Sequence, residues 1–71
     1  MMKRIEFDLP YKVKRGEIVL NLMGQQVGHI VEITQMEASD HEFVKWHVQA
    51  DVNDDTDPTT VQVLEPLTPP Q

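Results

Sequence analysis

The 71-residue chain contains no cysteine, so no disulfide can cross-link it. A domain of this size buries only about 60% of the surface that its unfolded chain exposes, and small domains therefore usually need disulfides, a metal ion or self-association. The lack of cysteine excludes the first of these and leaves dense packing, a metal ion or a partner. It also fits a reducing cytoplasm, which is the location that we expect.

Long hydrophobic runs are also absent. A membrane helix needs ~20 consecutive apolar residues, whereas Asn21 interrupts the longest apolar stretch, residues 18–23. The first residues include Lys3 and Arg4, but no apolar core follows them, so they do not have the pattern of a signal peptide. We therefore expect a protein that does not contact a membrane and stays where it is made.

Groups that serve as nucleophiles are scarce, because the chain has one serine, no cysteine and no glycine-rich phosphate loop. Ser39, Asp40 and His41 are the residue types of a hydrolytic triad, but the side chains of sequence neighbours diverge instead of aligning. The many carboxylates would need an apolar pocket to raise the pKa of a general acid, and a domain this small seldom has one. We therefore expect no enzymatic activity and no cofactor.

Charge is abundant and unevenly distributed. Residues 1–16 hold five basic and two acidic side chains, a net charge of +3, whereas residues 17–71 hold one basic and ten acidic side chains, a net charge of −9. A basic head and an acidic body can steer partners of opposite charge to opposite ends of a molecule, and they also favour self-association. The alternative is that the acidic surface only keeps a small domain soluble.

Apolar and polar residues alternate along most of the chain, which is the period of β-strands. Gly24-Gln25 predicts a tight reversal, Gly28 predicts a bulge or bend, and residues 37–40 have the composition of a helical turn. Trp46 shares one strand face with Val44 and Val48, and it is the predicted centre of the core. The pattern predicts five strands, at residues 3–9, 17–23, 26–34, 42–50 and 59–64.

Five short strands predict an all-β fold, either a small five-stranded antiparallel barrel or a strongly curved sheet. Residues 1–65 would form this single domain, and the proline-rich residues 66–71 would form an extended tail. The stretch Val27-Gly28-His29-Ile30-Val31, preceded by a strand and a turn, resembles the first hairpin of Src-homology-type barrels. The chain lacks their long first loop and the aromatic cluster that binds proline-rich peptides, so the resemblance implies no function.

The acidic turn after the fourth predicted strand partly matches the calcium-loop template. Asp51, Asn53 and Asp55 match its first, third and fifth positions, but the glycine and the final glutamate of the template are both replaced. We therefore expect a solvated hairpin loop without a metal ion. The histidines offer no convergent ligand set, because His41 and His47 on one straight strand would lie about 20 Å apart.

Several apolar residues fall on strand faces that alternation assigns to solvent, which is typical of a protein-binding patch. These outward residues are Val19, Met23, Ile30, Phe43 and Leu64. We therefore expect a non-enzymatic protein-interaction module that acts as an accessory or regulatory protein and has another protein as its partner. The candidate contact residues are Met23, Ile30, Phe43, Asp51, Asp54, Asp55 and Asp57.

Two other functions stay open. A compact acidic domain could mimic nucleic acid and occupy the basic groove of a nucleic-acid-binding protein, as small virus-encoded inhibitors do. In the opposite sense, the basic patch of Lys12, Lys14 and Arg15 could bind phosphates directly, although the acidic body disfavours a nucleic-acid partner. Mimicry predicts binding that is strongly sensitive to salt, whereas an apolar interface does not.

Overall fold

The computed structural model describes residues 1–36 and 45–64. Within them the chain forms four strands: β1 (Met2–Leu9), β2 (Ile18–Leu20), β3 (Gln26–Met36) and β4 (Lys45–Asn53). All neighbouring strands are antiparallel, and their order across the sheet is β1-β4-β3-β2. The all-β prediction is confirmed. The predicted helical turn at 37–40 and the predicted tail at 66–71 lie outside the described residues.

The sheet is open, with β1 and β2 as its edges, so it does not close into the predicted barrel. The predicted strand at 59–64 is reduced to one isolated bridge, in which Leu20 and Gln62 exchange backbone hydrogen bonds of 2.8 Å. Its first residues form a turn instead, because the Thr60 N–H donates to the Asp57 carbonyl at 3.1 Å. Five strands and the likeness to Src-homology barrels are therefore not confirmed.

One face of the sheet carries the hydrophobic core. Residues that lie opposite each other on adjacent strands point to the same face, and the register places both Ile5 and Ile30 opposite Ala50. Val13 and Val63, which lie outside the strands, complete the buried cluster. The largest fully buried side chains, each 1% exposed or less, are Val19, Ile30, Val48 and Val52.

A β-bulge in β3 reverses the face on which Ile30 lies. The register of β3 against β4 shifts between Ile30 and Glu32, so that Val31 is an additional residue without a cross-strand partner. Uniform alternation along the strand assigns Ile30 to solvent, but the bulge turns its side chain into the core. The prediction that Ile30 is an outward contact residue is therefore wrong.

The facing of β2 also differs from the prediction. Val19 lies opposite Gly28, on the same face as Ile30, and it is fully buried, whereas its neighbour Ile18 is 41% exposed. The outward assignment of Val19 is therefore wrong. Between Val19 and Leu20 the register of β2 against β3 shifts, and this places a bulge beside Gly28 as the sequence predicts.

Trp46 is half-buried and does not belong to the buried cluster, so the core is not centred on it as predicted. It lies opposite Leu9 at the end of β1, where the Lys12 ammonium approaches its ring to 5.5 Å from the centroid. Val44, its predicted neighbour in the core, lies outside the described residues. In the described part of the chain, no helix has the length and hydropathy needed to cross a membrane.

Candidate functional site

The candidate site lies at the end of the sheet where β1 begins and β4 ends. There the Asp54 N–H donates to the Met1 carbonyl at 3.2 Å, and Met2 lies opposite Asn53. The loop after β4 and the turn between β2 and β3 both line one open cleft at this end, with a volume of about 460 Å³. We use the name acidic end for five exposed residues of this turn and this loop: Leu22, Met23, Asp54, Asp55 and Asp57.

Polar groups of three kinds line this cleft. They belong to the amide residues Asn21, Gln25, Gln26 and Asn53, the carboxylate residues Asp55 and Asp57, and the hydroxyl residues Thr56 and Thr60. Thr56 is the one buried polar residue among those that the structure describes. Because the charged groups among the lining residues are both carboxylates, the cleft suits a ligand that carries positive charge and hydrogen-bond donors.

Asn21 shapes the turn that forms one wall of the cleft. Its Oδ1 accepts hydrogen bonds from the backbone N–H groups of Met23 and Gln25, both at 2.9 Å. Gly24 closes the turn with a φ of 82°, a conformation that glycine adopts without steric cost. The turn holds two large apolar side chains at its tip in solvent, where Leu22 is 69% exposed and Met23 is 82% exposed.

The opposite wall is the loop after β4, and hydrogen bonds fix its acidic residues. The Thr56 N–H donates to the Asn53 carbonyl at 3.0 Å, so Asp54 and Asp55 occupy the centre of a tight turn. The Asp57 carboxylate accepts hydrogen bonds from the backbone N–H and the hydroxyl of Thr59, at 2.9 and 2.8 Å. These two bonds, the backbone one first, lower the pKa of Asp57 below its ordinary value, so its negative charge persists into acidic solution.

Asp51 does not lie with the other candidate carboxylates. It belongs to β4, opposite Arg4 of β1, and its Oδ1 lies 2.6 Å from Arg4 Nε. The hydrogen bond from Arg4 lowers the pKa of Asp51 below its ordinary value. The calcium-loop pattern is therefore divided between a strand and a turn. In the described ranges 1–36 and 45–64, no three His, Asp or Glu side chains converge as a metal-binding group.

The remaining candidate residues are dispersed. Phe43 lies outside the described residues, and Ile30 is in the core. In the basic patch, Arg15 forms an ion pair of 2.7 Å with Glu32, and Lys12 lies over the ring of Trp46. Two of the three cations of the patch therefore already have partners within the chain.

A hydrogen-bonded network that the sequence did not predict covers the face of the sheet opposite the core. Arg4 contacts the Gln49 side-chain oxygen at 3.4 Å, and Gln49 donates to Glu6 at 2.8 Å. His47 continues the network to Asp8. Exposed ion pairs of this kind contribute little to stability, so the network mainly gives this face a fixed pattern of charges.

His47 should make the stability of the protein depend on pH. The Asp8 carboxylate, 2.8 Å from Nδ1, raises the pKa of the imidazole above its ordinary value, and the Glu6 carboxylate adds to this effect. Because the folded pKa exceeds the unfolded one, protonated His47 stabilises the fold below the unfolded pKa, and this contribution is lost as the pH rises through the folded pKa. We therefore expect a higher free energy of unfolding at about pH 6 than at about pH 8.

Nuclear magnetic resonance titration of the His47 ring, together with urea denaturation at the two pH values, measures this effect. Asp8→Asn is the matched control, and it should lower the pKa of His47 and reduce the pH dependence of stability. A His47 pKa at or below the ordinary histidine value in the unmodified protein would contradict the assigned contacts.

Comparison of the chain with protein-family models, with curated protein sequences and with solved structures finds no match.

Proposed function

We propose that this chain is a non-enzymatic protein-interaction module, an accessory or regulatory protein of the cytoplasm, and that its acidic end binds a basic segment of another protein. The observation that supports this proposal is that exposed apolar side chains stand beside a cleft that is lined by carboxylates. Asn21 and Gln25 line one wall, and the turn that holds them carries Leu22 and Met23 in solvent beside the cleft, whereas Asp55 and Asp57 line the other wall.

The arrangement has the two components that a protein interface needs. Large apolar side chains supply the contact that loses water on binding, and polar groups around them set orientation and specificity. Hydrogen bonds already hold both walls, through Asn21 on one side and through Asn53 and Asp57 on the other. Binding to a held surface costs less conformational entropy than binding to a loop that must first become ordered.

A cationic partner follows from the charge at this end. Asp54 and Asp55 are exposed at the centre of their turn, and the hydrogen bonds from Thr59 keep Asp57 ionised. A lysine or arginine side chain of the partner can enter the cleft and donate to carboxylate and amide oxygens, which are strong charge-assisted hydrogen bonds. Its neighbouring apolar side chains can then contact Leu22 and Met23.

The nucleic-acid mimic is supported less well by the same contacts. A mimic needs a row of unneutralised negative charges, whereas the Asp51 carboxylate is neutralised by Arg4 at 2.6 Å and lies apart from the loop. Direct binding of nucleic acid through the basic patch is also less well supported, because the charge of Arg15 is already paired with Glu32. Both functions remain outcomes of the test below.

Affinity capture from host lysate, run with and without nuclease and at low and moderate salt, tests the proposal on three forms of the chain. The unmodified protein is compared with Asp54→Asn/Asp55→Asn and with Asp8→Asn/Glu32→Gln, which removes the same amount of charge away from the acidic end. We expect the unmodified protein and the control to retain one defined protein that the Asp54/Asp55 variant loses.

A fourth form, Leu22→Ser/Met23→Ser, separates the interaction module from the mimic. The proposed interface predicts that this variant also loses the partner. A nucleic-acid-binding protein that is released at moderate salt and is indifferent to Leu22 and Met23 would favour mimicry. Capture that requires nuclease-sensitive material would favour the basic patch. Equal capture by all four forms would refute a role for the acidic end.

A further inference from the structure

Among the described residues, the outer edge of β1 is the long unpaired edge of the sheet. No segment within residues 1–36 and 45–64 pairs with that side of β1, which runs for 8 residues. The other edge, β2, has only 3 residues, and the bridge to Gln62 covers part of it. A long edge of this kind presents backbone N–H and C=O groups that can pair with another strand.

Two backbone hydrogen bonds establish which residues of β1 direct these groups outward. In an antiparallel sheet the N–H and C=O of one residue point to the same side, and those of the next residue point to the other side. The Met1 carbonyl accepts from Asp54 N–H, so the odd-numbered residues of β1 bond to β4. The Ile30 N–H donates to Glu17 and the Ile30 carbonyl accepts from Gly16, so both groups point away from β4. Ala50, which lies opposite both Ile30 and Ile5, therefore directs its own backbone groups toward β1, and this agrees with hydrogen bonds from the odd-numbered residues of β1 to β4.

The even-numbered residues of β1 consequently face the free edge with their backbone groups. They are Met2, Arg4, Glu6 and Asp8. Their side chains lie on the charged face of the sheet, opposite the core, where those of Arg4 and Glu6 are both more than half exposed. A strand added at this edge would therefore meet a defined order of charges, positive at Arg4, whose Nε also contacts Asp51, and negative at Glu6 and Asp8.

We propose that this edge binds a second copy of the chain, with β1 antiparallel to its equivalent about a two-fold axis through Ile5. Arg4 then lies opposite Glu6 of the second copy, and by symmetry Glu6 lies opposite its Arg4. The four outward residues of each strand pair through backbone hydrogen bonds, and the two sheets become one continuous sheet.

Charge selects this register over its neighbours. Sliding the second strand by two residues in one direction places Arg4 opposite Arg4. Sliding it in the other direction places Arg4 opposite Asp8 but brings Glu6 opposite Glu6 at the axis. Opposite charges across a strand pair are favourable and like charges are unfavourable. A slip of one residue is excluded, because it would place core-facing and charged side chains on the same face.

The apolar face is compatible with the same register. At the axis, Ile5 of one copy lies opposite Ile5 of the other in a non-hydrogen-bonded pair, in which the Cα atoms are closer than in a hydrogen-bonded pair. Lys3 of each copy lies opposite Phe7 of the other. Charged residues on an edge strand usually disfavour pairing with other strands, and here the register that matches Arg4 to Glu6 contains no like-charge pair, whereas each of its two neighbouring registers contains one. The proposal does not rest on the function proposed for the acidic end, since it concerns a different surface.

Sedimentation equilibrium of the full chain tests the proposal, with two single variants and their mixture. In Arg4→Glu, positions 4 and 6 are both negative, and in Glu6→Arg they are both positive. Because position 4 lies opposite position 6 of the second copy, each variant repels its own copies. Mixed together, they restore an opposite charge at every paired position. We expect dimers of the unmodified protein, about tenfold or more weaker association of each variant alone, and recovery in the equimolar mixture.

Thermal melts establish that both variants are folded, since Arg4→Glu also removes the ion pair with Asp51. Hydrogen exchange of the unmodified protein gives a second test that needs no variant. The amides of Arg4, Glu6 and Asp8 should exchange more slowly at high protein concentration than at low concentration, with no such change at β2. A chain that is monomeric at all concentrations, or exchange at these amides that is independent of concentration, would overturn the proposal.

Discussion

Replacement of Gly28 by alanine is expected to cost about 3 kcal/mol or more of unfolding free energy and to leave part of the population unfolded. A Cβ atom at this position would overlap the Asp51 carbonyl oxygen, and it would lie 2.8 Å from the Asp51 carbonyl carbon and 2.7 Å from Val52 Cγ1. Two of these atoms are backbone of β4, the strand between β1 and β3, so they cannot move without disturbing its pairing.

Gly24→Ala is the matched control for this substitution. Gly24 has a φ of 82°, which strains alanine, but no atom lies within 4 Å of its added Cβ. Its expected cost is therefore only about 1 kcal/mol. Urea denaturation of both variants measures the difference, and equal destabilisation would contradict the close approach of β3 and β4 at Gly28.

Ile30→Ala is expected to lower the free energy of unfolding by about 2 to 5 kcal/mol, the range for a buried large side chain that leaves a cavity. Ile30 is 1% exposed and packs with the buried valines of the core. The neighbouring strand provides the control Ile18→Ala, which should cost under about 1 kcal/mol because Ile18 is 41% exposed.

Trp46→Ala belongs in the same denaturation series. The sequence pattern predicts that this substitution unfolds the protein, but Trp46 is half-buried and lies outside the buried cluster. We therefore expect it to cost less than Ile30→Ala. A larger loss of unfolding free energy for Trp46→Ala than for Ile30→Ala would mean that the core is centred on Trp46, as the alternation of apolar residues predicts.

The local sequence pattern was sufficient to predict β1 and the turn between β2 and β3. In β1 charged and apolar residues alternate without interruption, and the structure confirms the strand. Gly24 supplies the positive φ that the tight turn requires. In both cases the determining interactions lie within a few residues of each other, which is the range over which sequence patterns carry information.

The faces of β2 and β3 could not be predicted in the same way. One additional residue, Val31, reverses the alternation within β3, and its position depends on how β3 pairs with β4. Uniform alternation therefore predicted the correct face for the side chains that follow the bulge in β3, but it placed Ile30, which precedes the bulge, on the wrong face. A register that depends on distant strands is not encoded in the period of a single segment.

The arrangement of the candidate site could not be predicted fully from the sequence for the same reason. Asp51 and Asn53 have low strand propensity and were predicted to form a turn, but β4 continues to Asn53 because its residues 46–53 pair with β1. The ion pair between Arg4 and Asp51 follows from that register. Its signal in the sequence is the complementary order of the polar residues in the two strands, which becomes informative only once their alignment is known.

The central claim, that the acidic end is the surface that binds the partner, is tested most directly by affinity. Isothermal titration of the captured partner protein should give a Kd about tenfold or more weaker for Asp54→Asn/Asp55→Asn than for the unmodified chain. It should give a nearly unchanged Kd for Asp8→Asn/Glu32→Gln, which has the same net charge. Equal Kd values for the two variants would contradict the claim, because net charge alone would then account for binding.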